Sequence, residues 1–438
     1  MIVMKFGGSS VANAERIRNV VNVIKLNMHR EPVVVVSALG GITDSLIKSA
    51  ELAADGGEAE EICMIEKRHL EVISDLGIPD AAVKKDLQDL RVLMKDIAVL
   101  GKLTQKTLDR VVSFGERMSS KIIASYMQKA GIAAKAYNSY DIGMLTDSGF
   151  GGADIFPRTY GLIAKAMENI EGVVPVITGY IGMDKNGDIT TLGRGGSDYT
   201  ASIMGAALDV EEIQIWTDVD GIMTADPKIV KDAKNIVEVS YDEASELALL
   251  GAKVLHPKTI LPAINKNIPV RILNTFNPGH RGTVVLKDIK KRRRIASITC
   301  KKKMTVINIY STKMSFAREF IGKVFEVIDS LGFSVDIISA SDSTVSITID
   351  GDKDTNELVQ KLRDRASVAV IENRAKISLV GKNMSFTPGQ LGKLSSSLSD
   401  MRIEMASSGA SDMSQSFVVE EKVADEAVIK LHKTFFGR

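Results

Sequence analysis

Cysteine is nearly missing from this sequence: there are two, Cys63 and Cys300, far apart. They build neither a disulfide framework nor a metal-ligand spacing, so a reducing, cytoplasmic compartment is the expectation. Aromatics are scarce at 5%, which leaves the core to Val, Ile, Leu, Ala and Met. Five scattered histidines form no zinc-type cluster, and no metal site is expected. Charge of one sign is not in excess either. The 56 basic and 55 acidic residues sum to +1, which argues against a field that gathers nucleic acid. No apolar run approaches the roughly 20 residues that span a bilayer. Met1-Ile2-Val3-Met4-Lys5 reads as a strand that starts at once, not as a secretory leader. The Gly-x-Ser-x-Gly elbow of hydrolases and the His-Arg-Asp and Asp-Phe-Gly set of protein kinases are absent.

What is present is length and alternation. A chain of 438 residues calls for two or three domains. Over the first two thirds, short apolar runs end in small-residue turns and lead into helical patterns. Val33-Val34-Val35-Val36 reads as a buried parallel strand that ends in Ser37-Ala38-Leu39-Gly40-Gly41. A helix with Val11, Ile17, Val20, Val21 and Ile24 on one side follows the first strand, and residues 50–110 read as a helical excursion. This alternation predicts an α/β fold, an open, mainly parallel sheet sandwiched by helices. Ligands in such folds sit beyond the carboxyl ends of the strands, where the glycine-rich turns fall.

Two of those turns suit phosphate and carboxylate chemistry. Lys5-Phe6-Gly7-Gly8-Ser9-Ser10 sets a lysine at a strand end before nearly bare backbone, whose N–H groups can approach a phosphate. The order differs from a Walker A loop, where the lysine follows the glycines. Alone this is a common strand-end turn. Gly193-Arg194-Gly195-Gly196-Ser197-Asp198 is more informative, because an N-capping turn accounts for Ser197 and Asp198 but not for Arg194. Arginine there can grip a carboxylate with two parallel hydrogen bonds. The Glu116–Arg117 pair is ordinary on a helix surface, and Thr217-Asp218 fits a plain turn as well as a nucleotide wall.

Beyond a basic stretch, Lys290-Lys291-Arg292-Arg293-Arg294, the pattern changes. A solvated linker explains that stretch better than nucleic-acid binding. Two copies of a β-α-β-β-α-β order then follow, the ferredoxin-like motif. The expected boundaries are a catalytic domain over 1–285, a linker over 286–303, and small domains over 304–374 and 375–438. The second copy lacks its last strand, and residues 295–300 are expected to fill that place.

The ordered set Lys5 to Val11, Gly41-Ile42-Thr43-Asp44, Ser113-Phe114-Gly115-Glu116-Arg117, the Gly193 to Asp198 turn, Trp216-Thr217-Asp218-Val219-Asp220-Gly221 and Gly251-Ala252-Lys253-Val254-Leu255-His256-Pro257 resembles the amino-acid kinase family, and within it the aspartate kinases. The two C-terminal copies resemble paired ACT domains, which sense amino acids. The resemblance implies transfer of a phosphoryl group from ATP, carried with Mg²⁺, to the side-chain carboxylate of L-aspartate. It implies that Lys5 touches the transferring phosphate and Asp198 positions it. Ser37, Thr43, Glu116, Arg194, Gly195, Gly196 and Ser197 would hold aspartate, Glu116 on its ammonium and Arg194 on its α-carboxylate. Gly7, Gly8, Ser9, Thr217, Asp218, Met223, Lys228, Lys253 and Val254 would line the nucleotide. Met223 stands where the family has an aromatic residue, and Lys228 where arginine is common. Met314, Phe320, Ile321, Asp336, Ser341 and Asp342 match an effector pocket of lysine-sensitive members, while Ala317 and Glu319 depart from it. Lysine is the first effector expected and threonine the second. A homodimer or dimer of dimers through the ACT domains is implied, as is a chain without a homoserine dehydrogenase segment. The rival readings are a kinase for another acid and a catalytically silent amino-acid sensor.

Overall fold

The computed structural model describes residues 1–57, 60–251, 255–289, 294–311, 317–341, 343–364, 366–384, 388–409 and 411–437. The chain divides into two compact units. The first comprises Met1–Ile222, Val237–Tyr241 and Val254–Asp288. The second comprises Met223–Ile236, Asp242–Lys253 and Ile289–Arg438.

In the first unit, strands β1 (Ile2–Phe6), β2 (Pro32–Val36), β3 (Ala134–Tyr137) and β4 (Val174–Thr178) precede a hairpin, β5 (Ile181–Met183) and β6 (Ile189–Thr191). Then come β7 (Glu212–Thr217), β8 (Glu238–Ser240), β9 (Val270–Asn274) and β10 (Thr283–Leu286). The main sheet has the order β3-β4-β2-β1-β7-β9-β10-β8. All neighbours in it are parallel except β9 and β10. β1 and β2 are buried along their whole length, as continuous apolar runs in a two-sided sheet must be. Lys5 is therefore an ammonium held inside a sheet.

Helix α1 (Ala14–Leu26) buries Ile17, Val20, Val21 and Ile24, the side its sequence periodicity marks, and Asn13 caps its start by accepting the Arg16 N–H. The expected helical excursion is α2 (Ile42–Ala54), α3 (Glu60–Leu76), α4 (Ala81–Leu100) and α5 (Gln105–Lys129). One apolar core runs from Met4, Phe6 and Val36 through Leu46 and Phe114 to Leu90 and Ile97. Each such buried side chain contributes roughly 1.5–3 kcal/mol, so these helices are part of the core. Helices α6 (Thr159–Met167), α7 (Gly196–Leu208), α8 (Tyr241–Leu249) and α9 (Pro257–Lys266) complete the layers, with α8 passing into the second unit.

The second unit holds β11 (Ser297–Ser311), α10 (Ala317–Ser330), β12 (Val335–Ala340), β13 (Thr344–Asp350), α11 (Asn356–Arg363), β14 (Ala366–Val380), α12 (Gln390–Ser397), β15 (Met405–Ser407), β16 (Ser414–Glu420) and α13 (Ala424–Phe436). Its antiparallel sheet has the order β12-β13-β11-β14-β16-β15. The sequence suggests separate strands on either side of residue 303 and of residue 373. The structure instead has two continuous 15-residue strands shared by both copies. Lys303 (φ 56°) and Asn373 (φ 55°) stand at the midpoints, and the β11–β14 register shifts between Lys301 and Val306. These irregularities let one ladder continue while it bends. Ser297 to Lys301 pair with Lys376 to Val380, so this segment lies beside the first strand of the second copy.

Met223–Ile236 packs inside the second unit. Ile298 N–H donates to Thr224 O at 2.9 Å, the Ser297 hydroxyl donates to Met223 O at 2.8 Å, and Thr224 Oγ1 lies 2.9 Å from His432 Nε2. Ala225 and Val230 share an apolar cluster with Phe417 and Leu431. Met223 and Lys228 thus reside in the second unit, where proximity in sequence to Thr217 alone would not place them.

Candidate active site

Lys5 lies near the carboxyl end of β1, flanked by β2 and β7, and is 8% exposed. Its Nζ is 2.5 Å from Asp198 Oδ1, in the first turn of α7. A buried ammonium needs such a partner, since an unpaired charge in the sheet would be strongly penalised. Phe6 stacks on Trp216 with ring centroids 5.9 Å apart, which ties β1 to β7 behind the lysine.

The glycine loops after β1 and β2 lie against each other. A Cβ on Gly8 would stand 3.1 Å from Ala38 O, and one on Gly40 would stand 3.0 Å from Gly8 O. Gly7 is close to Lys5: its Cβ would lie 3.4 Å from Nζ. A Cβ at Gly8 or Gly40 would force the facing backbone to give way, whereas one at Gly7 would make ordinary contact. Ser9 follows in a short 3-10 turn, and Ser10 is buried with its hydroxyl 2.7 Å from Thr275 Oγ1. After β4, a Cβ on Gly179 would meet Ser197 Oγ at 2.6 Å. The loops after β1, β2 and β4 and the start of α7 thus meet at one end of the sheet.

Glu116 enters this end from α5. It is 3% exposed, and its Oε1 accepts the Ala38 N–H at 3.1 Å. Its Oε2 is buried and has no hydrogen-bond partner. Burial pushes the carboxyl up to about 8. Arg117 points elsewhere: Asp86 holds it at 2.8 Å, and it covers the Phe114 ring.

Arg194 sits in a turn closed by the Gly196 N–H donating to Gly193 O at 3.0 Å, with Gly195 at φ +72°. It is exposed, and among the described residues no carboxylate pairs with it. Gly196 must be bare, since a Cβ would come within 2.5 Å of the Tyr180 ring. Ser37 and Thr43 are half-buried, Ser37 just after β2 and Thr43 in the first turn of α2. Thr217 ends β7, and its hydroxyl donates to Asp218 Oδ1 at 3.2 Å. Lys5, Gly7, Gly8, Ser9, Ser37, Glu116, Ser197 and Asp198 are therefore brought to one end of the first unit. Lys253 and Val254 lie outside the described residues.

The effector candidates all belong to the second unit. Phe320 and Ile321 pack on its apolar cluster, and Ser341 is exposed. Met314 and Asp342 lie outside the described residues. Asp336 takes two ammoniums of its own chain, Lys301 and Lys376, each at 2.9 Å. Burial pushes its carboxyl up, but the two lysines outweigh that and hold it below the usual carboxylate range.

Sequence reasoning overlooked three contributors. One is the Ala38 N–H, a backbone donor that no side-chain pattern reveals. Another is the conformation of Tyr180, which lies in a stretch, Thr178 to Gly182, that also resembles the family: it is a non-glycine residue at φ +68° whose ring covers Gly196. The third is Asp109, 1% exposed on α5. It stands seven residues before Glu116, on the same helix face, and that spacing was the available signal.

A family model described as the amino acid kinase family matches residues 1–274, and an ACT domain model matches residues 377–435. Aspartokinase 1, chloroplastic, of Arabidopsis thaliana is 39% identical, covering 99% of this chain and 80% of its own. The lysine-sensitive aspartokinase 3 of Escherichia coli is 32% identical over 100% of this chain and 99% of its own. The chain belongs to the aspartokinases of the amino acid kinase family. Two crystal structures of E. coli aspartokinase III match this aspartokinase along its whole length. The complex with aspartate and ADP, an R-state, gives a TM-score of 0.82 at 31% identity, covering 100% of both chains. The complex with lysine and aspartate, a T-state, gives 0.87 at 30% identity, covering 100% of this chain and 99% of that one. Aspartokinases are ATP-dependent phosphotransferases, and the first unit carries that fold. Among the described residues no helix is long and apolar enough to cross a membrane.

Proposed function

We propose that this aspartokinase moves the γ-phosphoryl group of ATP onto the side-chain carboxylate of L-aspartate at the end of the first unit where Lys5 and Asp198 meet. The observation that carries the reading is Glu116 Oε2, a buried oxygen with no partner in the chain, at the end of the sheet where Lys5 is held. A buried acceptor left empty calls for a donor from outside. The aspartate ammonium supplies it, and the unpaired Arg194 takes the α-carboxylate. Ser37, Thr43, Ser197 and the backbone of Gly195 and Gly196 enclose the rest of the substrate.

The chemistry needs no general base. A free aspartate side chain has a pKa of about 3.9 and is already ionised at neutral pH. One carboxylate oxygen bonds to the γ-phosphorus as the bond to the β–γ bridging oxygen breaks, which gives 4-phospho-L-aspartate and ADP. Catalysis is then in-line positioning and neutralisation of charge on the phosphoryl oxygens. Lys5 supplies a cation that Asp198 holds in place. The Gly7 N–H donates to Trp216 O at 3.2 Å, which leaves the N–H groups of Gly8 and Ser9 for the phosphates. Thr217 and Asp218, at the end of β7, are assigned to the nucleoside end. Mg²⁺ is taken to arrive with the nucleotide, where it would neutralise charge on the phosphoryl oxygens.

Lysine is the first effector proposed and threonine the second, because a relative 32% identical over the whole chain is named lysine-sensitive. The second unit is assigned to that sensing and to pairing of subunits as a homodimer or dimer of dimers. A cytoplasmic location is kept from the cysteine usage.

The test is ATP consumption with aspartate, trapping the acyl phosphate as a hydroxamate, with and without lysine or threonine. Aspartate-dependent hydroxamate that lysine suppresses is expected. Turnover only with a different acid would move the substrate, and no turnover with any acid would favour the silent sensor.

A further inference from the structure

Asp109 is a buried carboxylate that the reaction as described does not use. It lies on α5 two helical turns before Glu116, about 10 Å along the axis. A single oxygen, Oδ2, accepts two backbone N–H groups, Gly151 at 2.9 Å and Thr191 at 2.8 Å. The other oxygen accepts the Gln105 amide at 3.2 Å.

Both backbone partners lead to the Arg194 turn. Thr191 ends β6, and only Leu192 and Gly193 separate it from Arg194. Gly193 lies on the Gly151 loop: a Cβ there would stand 3.3 Å from Gly151 O and from Gly152 Cα. The same loop is held from the other side, since the Ala153 N–H donates to Thr191 O at 2.8 Å. The Leu192 N–H donates to Tyr180 O at 2.8 Å, so the strained Tyr180 is tied into the same corner. One helix therefore carries Glu116 directly and grips, through Asp109, the two segments that support Arg194.

We propose that Asp109 is a positioning residue for aspartate recognition: it fixes the Arg194 turn relative to Glu116, and so sets the spacing between the group that takes the α-carboxylate and the group that takes the ammonium. The inference rests on the aspartate reading above. Asp109 touches no substrate itself. It acts on how the α-amino and α-carboxylate ends of the acid are bound and not on the phosphoryl step.

The geometry specifies an unusual pair of variants. Because both backbone bonds go to one oxygen, Asp109→Asn can keep them with its carbonyl oxygen and turn its amide toward Gln105, whose own amide can flip to accept. Asp109→Ala loses both. The experiment is steady-state kinetics on the full chain, varying aspartate and ATP separately. Asp109→Ala is expected to raise KM for aspartate roughly tenfold or more, the effect of one or two charge-assisted hydrogen bonds, with KM for ATP within about twofold. Asp109→Asn is expected to stay within about threefold of the parent in every parameter. If Asp109→Ala does not fold, Asp109→Ser takes its place, since its hydroxyl is too short to span both donors.

Loss of kcat with both KM values unchanged would show a merely structural carboxylate and overturn the proposal. So would Asp109→Asn behaving like Asp109→Ala, or KM for ATP rising in step with that for aspartate. If the parent chain makes no hydroxamate from aspartate, the parent reading fails first. Calorimetry with L-aspartate alone then decides: unaltered affinity in Asp109→Ala overturns the positioning role as well.

Discussion

Glu116 is a buried acid of the first unit and Asp336 a more exposed acid of the second, and they are completed differently. Glu116 has one oxygen on a backbone N–H and the other buried without a partner. Asp336 has an ammonium on each oxygen, Lys301 on Oδ2 and Lys376 on Oδ1. Lys301 also reaches Asp350 at 2.6 Å. The pattern extends around each residue. Arg194 in the first unit pairs with no described carboxylate, whereas Arg374 and Arg402 in the second share Glu404 at 3.3 and 3.2 Å. Glu116 Oε2 and Arg194 are the two open valences that the proposed substrate would complete. At Asp336 two lysines of the same chain already occupy the carboxylate, so an effector amine drawn there would compete with them. A carboxylate with an empty oxygen thus supports a substrate role, and one already held by two lysines a structural role.

The Lys5–Asp198 pair tests the first half of the comparison most severely. Lys5→Ala removes the cation aimed at the phosphoryl group, and turnover is expected to fall on the order of a thousandfold. Circular dichroism should show the parent secondary structure. Turnover near that of the parent would remove Lys5 from the mechanism.

The place of Lys5 at a strand end before bare backbone was legible in the sequence, while its role came from the resemblance, because that turn alone is a common strand end. The parallel sheet was legible because Pro32–Val36 has no polar face to show solvent. The shared strands were not. The left-handed positions fall at Lys303, which carries no turn signature, and at Asn373, whose residue type favours a turn and so suggests a strand end there and not a continuous strand. The place of Met223–Ile236 in the second unit was equally hidden. It depends on the Thr224–His432 bond across 208 residues and on Ser297, and local pattern carries no information about either. Glu116 was found by resemblance alone, because a glutamate beside an arginine on a helix is usually a surface pair.

The closed cluster in the second unit can be broken from two sides, and the two should differ. The Lys376 side chain is 1% exposed, that of Lys301 30%. Lys376→Met keeps the volume and leaves Asp336 with one partner, and a loss of about 2 kcal/mol in the opening free energy of β14 is expected. Lys301→Met removes a more solvated ammonium and should cost at most about 1 kcal/mol. Native-state hydrogen exchange on the β14 amides measures both. A larger loss for Lys301→Met would mean that burial does not rank these pairs.

The open valence at Glu116 makes a smaller prediction with a definite sign. Burial raises its carboxyl to about 8, so at neutral pH the empty site holds it mainly protonated. A protonated acid cannot serve the aspartate ammonium as an anion. Binding must therefore release a proton, and KM for aspartate should fall toward tenfold per pH unit between about pH 6 and 7.5. KM for ATP should stay flat over the same range, and Glu116→Gln should lose the slope. Stability of the empty enzyme runs the other way. A folded pKa above the unfolded 4.5 contributes stability that is fully present below 4.5 and is lost as pH rises through about 8. Saturating aspartate should cancel that loss, because its ammonium gives the ionised carboxylate the partner the chain withholds. A KM for aspartate that ignores pH while Glu116→Gln still weakens binding would mean that Glu116 is already ionised in the empty site, its Oε2 met by water.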